Sequence, residues 1–120
     1  MKLNTIIEQL EMLAPLSYAE DFDNVGLLTG NSEQEINGIL VCHDVLENVL
    51  NEAIEKKCNL IVCFHPIIFS GLKKITGKTY VERVVIKAIK NDIAIYALHT
   101  ALDNHQNGVN KIICNQLGLK

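Results

Sequence analysis

From residue 36 onward the chain alternates between two hydrophobic rhythms. "INGILVCHD" is a short aliphatic run that predicts a strand over Ile36–Cys42. "LENVLNEAIEKK" then places Leu46, Val49, Leu50, Ala53 and Ile54 at helical spacing, one apolar face with charge opposite. "NLIVCF" is continuously apolar and short, a second strand. "TYVERVVIKAIKND" predicts a helix with Val81, Val84, Val85, Ala88 and Ile89 inward and Glu82, Arg83, Lys87 and Lys90 outward. "IAIYAL" is a third strand, and "GVNKIICNQLG" starts a third helix. Strands without polar alternation, separated by helices, predict parallel pairing with crossover helices over the sheet.

Ahead of this unit, "LNTIIEQLEMLAP" carries Ile6, Leu10 and Leu13 at helical intervals, with Ile7 and Met12 beside them. Asn4 or Thr5 is expected to cap this helix and Pro15 to stop it. "AEDFDNVGLLTGN" is rich in Asp, Asn and Gly and predicts an ordered loop running into a short strand. The expectation is a single α/β domain over residues 1–120, its sheet parallel or mixed with crossover helices, and its site at the strand C-terminal ends. The pattern shows no internal repeat or low-complexity tract.

Composition narrows the functional classes. A net charge of −3 without a basic stripe disfavours nucleic acid as a partner. Apolar runs fall well short of the roughly 20 residues that span a bilayer, and the N-terminus lacks a signal-peptide pattern. Cys42, Cys58, Cys63 and Cys114 form no CxxC pair, and three of them lie inside apolar runs, which fits reduced thiols and a cytoplasmic protein.

Chemistry gathers where the strands end. The first strand is followed by His43-Asp44, the second by His65-Pro66, and the third by His99, with Asp103, Asn104 and His105 close behind. All four histidines of the chain fall at these ends. In an open parallel sheet such ends lie side by side and border the ligand crevice. Imidazole with carboxylate suits a divalent ion such as Zn, Mn, Fe or Co. A plainer reading stands beside it, in which a histidine after a strand closes a turn or satisfies a hydrogen bond. Asp44, three residues before Glu47, reads more readily as a helix cap in a capping box than as a ligand. His105, beside Asn104 and Asn107-Gly108, has the context of an exposed turn. Cys63 points into the sheet by alternation and reads as inert. Lys73, Lys74 and Lys78 between glycines could attract a phosphate or simply be solvated. There is no glycine-rich phosphate loop after the first strand and no GxSxG elbow.

Three segments, "EDFDNVGLLTG", "FHPIIFSGLKK" and "HTALDNHQNGVN", in this order resemble the N-terminal half of the NIF-three family, the dinuclear-metal proteins called GTP cyclohydrolase 1 type 2 homologues. The resemblance implies metal-ligand roles for His65 and Asp103. It places His99 beside the metal, as a ligand or as a catalytic group that orients it or moves a proton. Asn24 and Gly26 match the family's DNVG loop near the same cleft. Where the family usually has two histidines before the proline, this chain has Phe64-His65, which implies one ion per chain rather than two. The family's remaining ligands, a His and a Glu four apart, come from a C-terminal half that these 120 residues do not include. The implied function is a metal-dependent hydrolase acting on a nucleotide-like or phosphorylated small molecule, in a homo-oligomer that in the family is a hexameric ring. The alternatives are a non-catalytic, metal-stabilised oligomeric scaffold or partner-binding module, and a folded subdomain with an incomplete site.

Overall fold

The computed structural model describes residues 1–119. Four strands, β1 (Gly26–Thr29), β2 (Ile39–Cys42), β3 (Leu60–Cys63) and β4 (Ala94–Ala97), form one mixed sheet in the order β1-β4-β3-β2. β2, β3 and β4 run parallel in unbroken register, Cys42 beside Cys63 and Cys63 beside Ala97. β1 pairs antiparallel with β4, so the short strand after the Asp/Asn/Gly loop closes one edge and makes the sheet mixed.

Helices α2 (Glu47–Glu55) and α3 (Tyr80–Lys90) are the crossovers. Alternation along the strands sends Ile61, Cys63, Ile95 and Ala97 toward this helical layer, where they pack with Leu50, Ala53, Val84 and Ala88. The opposite residues, Leu60, Val62, Ala94 and Tyr96, face a second core that includes Leu3, Ala14 and Ala101. That layer is built by α1 (Leu3–Leu13), a 3-10 turn (Leu16–Tyr18) and α4 (His99–Asp103). The last helix, α5 (Val109–Leu117), buries none of its residues. β3 and β4 are buried on both faces, which is why their sequences carry no polar alternation.

Several boundaries differ from the sequence reading. The first strand begins at Ile39 rather than Ile36, because the Gly38 carbonyl turns to accept the Asn59 and Leu60 N–H groups. α1 begins before Asn4 and Thr5 could cap it. Its first N–H groups, from Leu3 and Asn4, donate instead to the carbonyls of Gln34 and Ser32 at 2.8 Å, so a neighbouring loop does the capping. In α3 the sides assigned to two residues are reversed. Ile89 is 58 % exposed, whereas Glu82 is buried in a capping box with Thr79.

Candidate metal centre

Main-chain bonds continue the parallel ladder past the last strand residues. The Phe64 and His65 N–H groups donate to the Cys42 and His43 carbonyls at 3.2 and 3.0 Å. Leu98 and His99 donate likewise to Cys63 and Phe64 at 3.0 and 2.8 Å. His43, Phe64, His65 and His99 are therefore held side by side by the backbone before any side-chain contact is made. His99 also adopts φ +30°, an uncommon region for a residue with a Cβ, where the chain turns from β4 directly into α4.

The rings meet at this edge. His65 and His99 have ring centroids 5.2 Å apart and nearly perpendicular planes, and His43 and His65 lie 4.4 Å apart in the same manner. Phe64 stacks on His43 at 5.2 Å and meets His99 edge-on at 5.3 Å. Beside them a hollow of about 340 Å³ is lined by Cys42, His43, Phe64 and Val109.

Two aspartates orient the imidazoles. Asp44 places one carboxylate oxygen 2.6 Å from His65 Nδ1 and the other 3.2 Å from His43 Nδ1. These two contacts, His65 first, hold the Asp44 carboxyl below the ordinary aspartate range. The expected capping role of Asp44 is not found. The N-cap of α2 is Leu46, without a side-chain cap bond, and Glu47 pairs with Arg83 of α3 instead of closing a capping box. The chain makes two further residues of turn after Asp44, which carries its carboxylate away from the helix start and toward the imidazoles.

Asp23 performs a similar task for His99. Its side chain is fully buried, and its Oδ2 accepts from His99 Nδ1 at 2.9 Å, from the Thr100 N–H at 3.1 Å and from the Thr100 hydroxyl. Oδ1 accepts from the Asn24 N–H at 2.8 Å. Burial pushes the carboxyl pKa up, but the bonds from Thr100, His99 and Asn24 together outweigh it and leave the value below the ordinary one. Asn24 in turn donates from Nδ2 to the Ile68 carbonyl at 2.6 Å, tying this loop to the segment after His65-Pro66. Gly26 follows at φ +92°, a conformation that explains the glycine.

Among the predicted site residues, His65 and His99 are brought together. Asp103 closes α4 one turn beyond His99, half-buried on the same side of the helix, and stands apart from the His43–Asp44–His65 group. His105 lies elsewhere, against Tyr18, with Nδ1 accepting from the Asn107 N–H at 3.1 Å in a turn. Cys63 is buried, and burial raises its thiol to about 12, so it is inert. Asp23 and the carboxylate role of Asp44 are what sequence reasoning missed.

Nitrogen and oxygen donors of this kind fit a borderline divalent ion. His43, Asp44 and His65 each offer one ligand atom within 4.8 Å of the others. With Nδ1 occupied by a carboxylate, an imidazole presents the lone pair of Nε2, the arrangement that commonly fixes a metal-binding histidine.

A three-layer α/β domain that collects imidazoles and carboxylates at parallel strand ends defines a protein of the open-sheet class. The chain belongs to the Duf34/NIF3 (NGG1p interacting factor 3) family, whose sequence profile matches residues 1–120. It is 42 % identical over 118 residues to a GTP cyclohydrolase 1 type 2 homolog of Clostridium acetobutylicum, covering 98 % of this chain and 44 % of the relative. To NIF3-like protein 1 of Rattus norvegicus it is 44 % identical, covering 98 % of this chain and 32 % of that one. A Staphylococcus aureus protein of known crystal structure superposes over the full chain and 34 % of its own, with TM-score 0.91 and 40 % identity. Reduced HcgD from Methanocaldococcus jannaschii matches with TM-score 0.91 and 30 % identity, over the full chain and 48 % of its own. The chain spans a third to somewhat under half the length of these relatives. Among the described residues no helix is long and apolar enough to cross a membrane.

Proposed function

We propose that the protein binds a divalent metal ion at the β2–β3–β4 ends and serves metal-dependent hydrolysis of a nucleotide-like or phosphorylated substrate. The observation that carries this reading is the convergence of His43, His65 and His99 at one sheet edge, two of them held through Nδ1 by Asp44 and the third by Asp23. The family resemblance adds Asp103 as a ligand alongside His65 and His99. The names of the bacterial relatives supply the nucleotide class as a hypothesis, since they are designated as homologs of a GTP cyclohydrolase. A bound ion would supply polarisation of the substrate and a water more acidic than bulk. His99, with Nδ1 donating to Asp23, keeps Nε2 as the atom that can take or return a proton. The hollow beside Phe64 gives an apolar wall against which a planar ring could rest.

The test is metal content per chain by plasma mass spectrometry on tag-free protein, followed by assays against a panel that includes GTP. Metal near one per chain that disappears in His65→Ala, together with turnover of a panel member that stops in the same variant, is the expected result. Metal-free wild-type protein would overturn the proposal. Metal without turnover would leave the second reading, a metal-stabilised oligomeric scaffold. That reading has its own support in the exposed apolar residues Ile112, Ile113 and Leu117 of α5. In the scaffold case, chelation of the ion should dissociate the oligomer in sedimentation velocity runs, and an unchanged oligomer would reject it.

A further inference from the structure

Beyond His65 the histidine edge runs into a groove. Residues 66–72 and residues 79–81, at the start of α3, enclose a volume of about 530 Å³. Small-molecule sites span roughly 300–1,000 Å³, so the groove has room for a nucleotide-sized ligand. Its walls combine Ile67, Ile68 and Val81 with two aromatic rings, Phe69 and Tyr80, which are 50 and 47 % exposed. Phe22, also exposed, meets Phe69 at a centroid distance of 6.5 Å. The loops that carry these two phenylalanines are tied together by Asn24, which donates to the Ile68 carbonyl at 2.6 Å. Exposed aromatic area gathered on braced loops is the mark of a surface that a ligand covers.

Charge narrows the kind of ligand. Residues 66–81 include Lys73, Lys74 and Lys78 and no carboxylate, in a chain whose net charge is −3. Lys73 directly follows Leu72 and Lys78 directly precedes Thr79, both residues of the groove wall, so these exposed cations begin at its rim. Among the described residues none of the three forms an ion pair, whereas Lys56 and Arg83 pair with Glu52 and Glu47. The first carboxylate after the loop, Glu82, is occupied by Thr76 and Thr79. Unpaired cations beside aromatic faces complement a molecule with a planar ring at one end and an anionic group at the other. The hollow beside Phe64, lined by Cys42, His43, Phe64 and Val109, has no lysine or arginine in its wall.

We propose that this groove is the subsite for a phosphorylated heteroaromatic molecule of the nucleotide class, its ring stacked on Phe69 beside Tyr80 and its phosphates met by Lys73, Lys74 and Lys78. Phe69 lies 6.5 Å from His99 with the ring planes at 86°. A ring stacked on Phe69 is therefore the part of the ligand nearest the histidine edge, and the phosphates extend toward the lysine loop. Phe69 selects for a planar ring and the lysines select for charge. The inference deepens the proposed function and rests on its reading that this edge acts on a nucleotide-like or phosphorylated molecule. The groove wall itself contains none of the histidines or aspartates of the edge.

The experiment is calorimetric titration of GTP, guanosine and inorganic triphosphate into the intact chain in excess EDTA. It is repeated with Phe69→Ala, Phe69→Tyr and a variant combining Lys73→Gln, Lys74→Gln and Lys78→Gln. GTP should bind without metal, and guanosine and triphosphate should each bind at least about 10-fold more weakly. Phe69→Ala should weaken GTP about 5-fold or more, while Phe69→Tyr, which keeps the stacking face, should stay within about twofold of wild type. The lysine variant should bring GTP down toward the affinity of guanosine. In wild-type protein the purine H8 proton of GTP should show nuclear Overhauser contacts to the Phe69 ring, a readout independent of any variant's folding. Triphosphate binding as tightly as GTP, contacts to Phe64 or Val109 in place of Phe69, or no GTP binding in EDTA would each overturn the inference. Metal content of the same preparation, measured before EDTA is added, keeps the two readings apart. Metal-loaded protein whose lysine variant binds GTP like wild type rejects the groove and leaves the metal reading standing. A metal-free chain with lysine-dependent GTP binding does the reverse.

Discussion

Asp23 accepts four hydrogen bonds from three residues in full burial, which makes it a test of how the edge is held. In Asp23→Asn the new amide group faces N–H and O–H donors with donors of its own. A loss of about 2 kcal/mol is expected, within the range for hydrogen bonds to a charged group, and chemical denaturation measures it. Because the folded pKa of Asp23 lies below its ordinary value of 3.8, its ionised form stabilises the fold above that pH. This contribution disappears as pH falls from about 3.8 through the lower folded value, so the Asn variant should lose less stability than wild type in that interval. A parallel acid limb in both proteins would contradict the assignment. A second residue points the other way. The Tyr96 hydroxyl is buried without a hydrogen-bond partner among the described residues, and burial raises its pKa to about 12. Tyr96→Phe should leave stability unchanged or raise it by up to about 1 kcal/mol, read as a higher thermal midpoint; a clear loss would mean the hydroxyl has a partner in solution.

At the scale of elements, ends matter more than interiors. Thr79 and Glu82 close the start of α3 reciprocally, and Thr76 donates to Glu82 through both N–H and hydroxyl. Bonds from the Thr76 N–H, the Thr79 side chain and the remaining donors of both residues hold the Glu82 carboxyl down to about 2. Thr79→Ala should cost about 1 kcal/mol. The stabilisation that Glu82 provides is complete above its ordinary value near 4.5 and should fade as pH falls from there to about 2, visible as early loss of amide-exchange protection in α3. At the other end of the chain, Gly108 has an ordinary φ of −87°, but a Cβ there would stand 1.7 Å from the Leu102 carbonyl oxygen. Gly108→Ala should therefore displace α5 from α4 at a cost of about 3 kcal/mol, with exchange protection lost in α5 ahead of the sheet. Unchanged protection would mean that the loop absorbs the clash.

The same contrast between interiors and ends sets what was legible in the chain. Periodicity located α2, α3, β3 and β4 because Leu50, Ala53, Val84, Ala88 and the β3 and β4 residues are buried by faces that spacing alone defines. Glu82 departed from the expected pattern because a capping box, a local bond pattern, overrode the apolar stripe at the helix start. At the site, His65 and His99 were recognisable from their place after strands. Asp23 was not, since it meets His99 across 76 positions of sequence and nothing local marks the pairing. Asp44 was misassigned because the Asp-x-x-Glu spacing of a capping box is satisfied in sequence, while the chain begins its helix two residues too late to use it.

On the scale of the whole molecule, one side is left uncovered. β2 is an open edge strand whose Ile39 and Val41 are 46 and 75 % exposed, and α5 exposes Ile112, Ile113 and Leu117. The 120-residue chain should self-associate in a concentration-dependent manner, and Val41→Lys should shift sedimentation toward the monomer. A monomer at all concentrations would show that these side chains are tolerated singly.

The ladder that runs past the strand ends, from Cys42 and His43 to Phe64 and His65 and on to His99, has a consequence for how this edge tolerates substitution. Each ring hangs from a main-chain position that its neighbours' atoms, not its own, hold in place. One ring can then be exchanged by mutation without moving the next, Phe64 between three histidines included. Introducing an imidazole with Phe64→His should add a donor and leave the fold's melting behaviour nearly unchanged. A scaffold held in this way keeps its backbone while the side chains along its edge change one at a time.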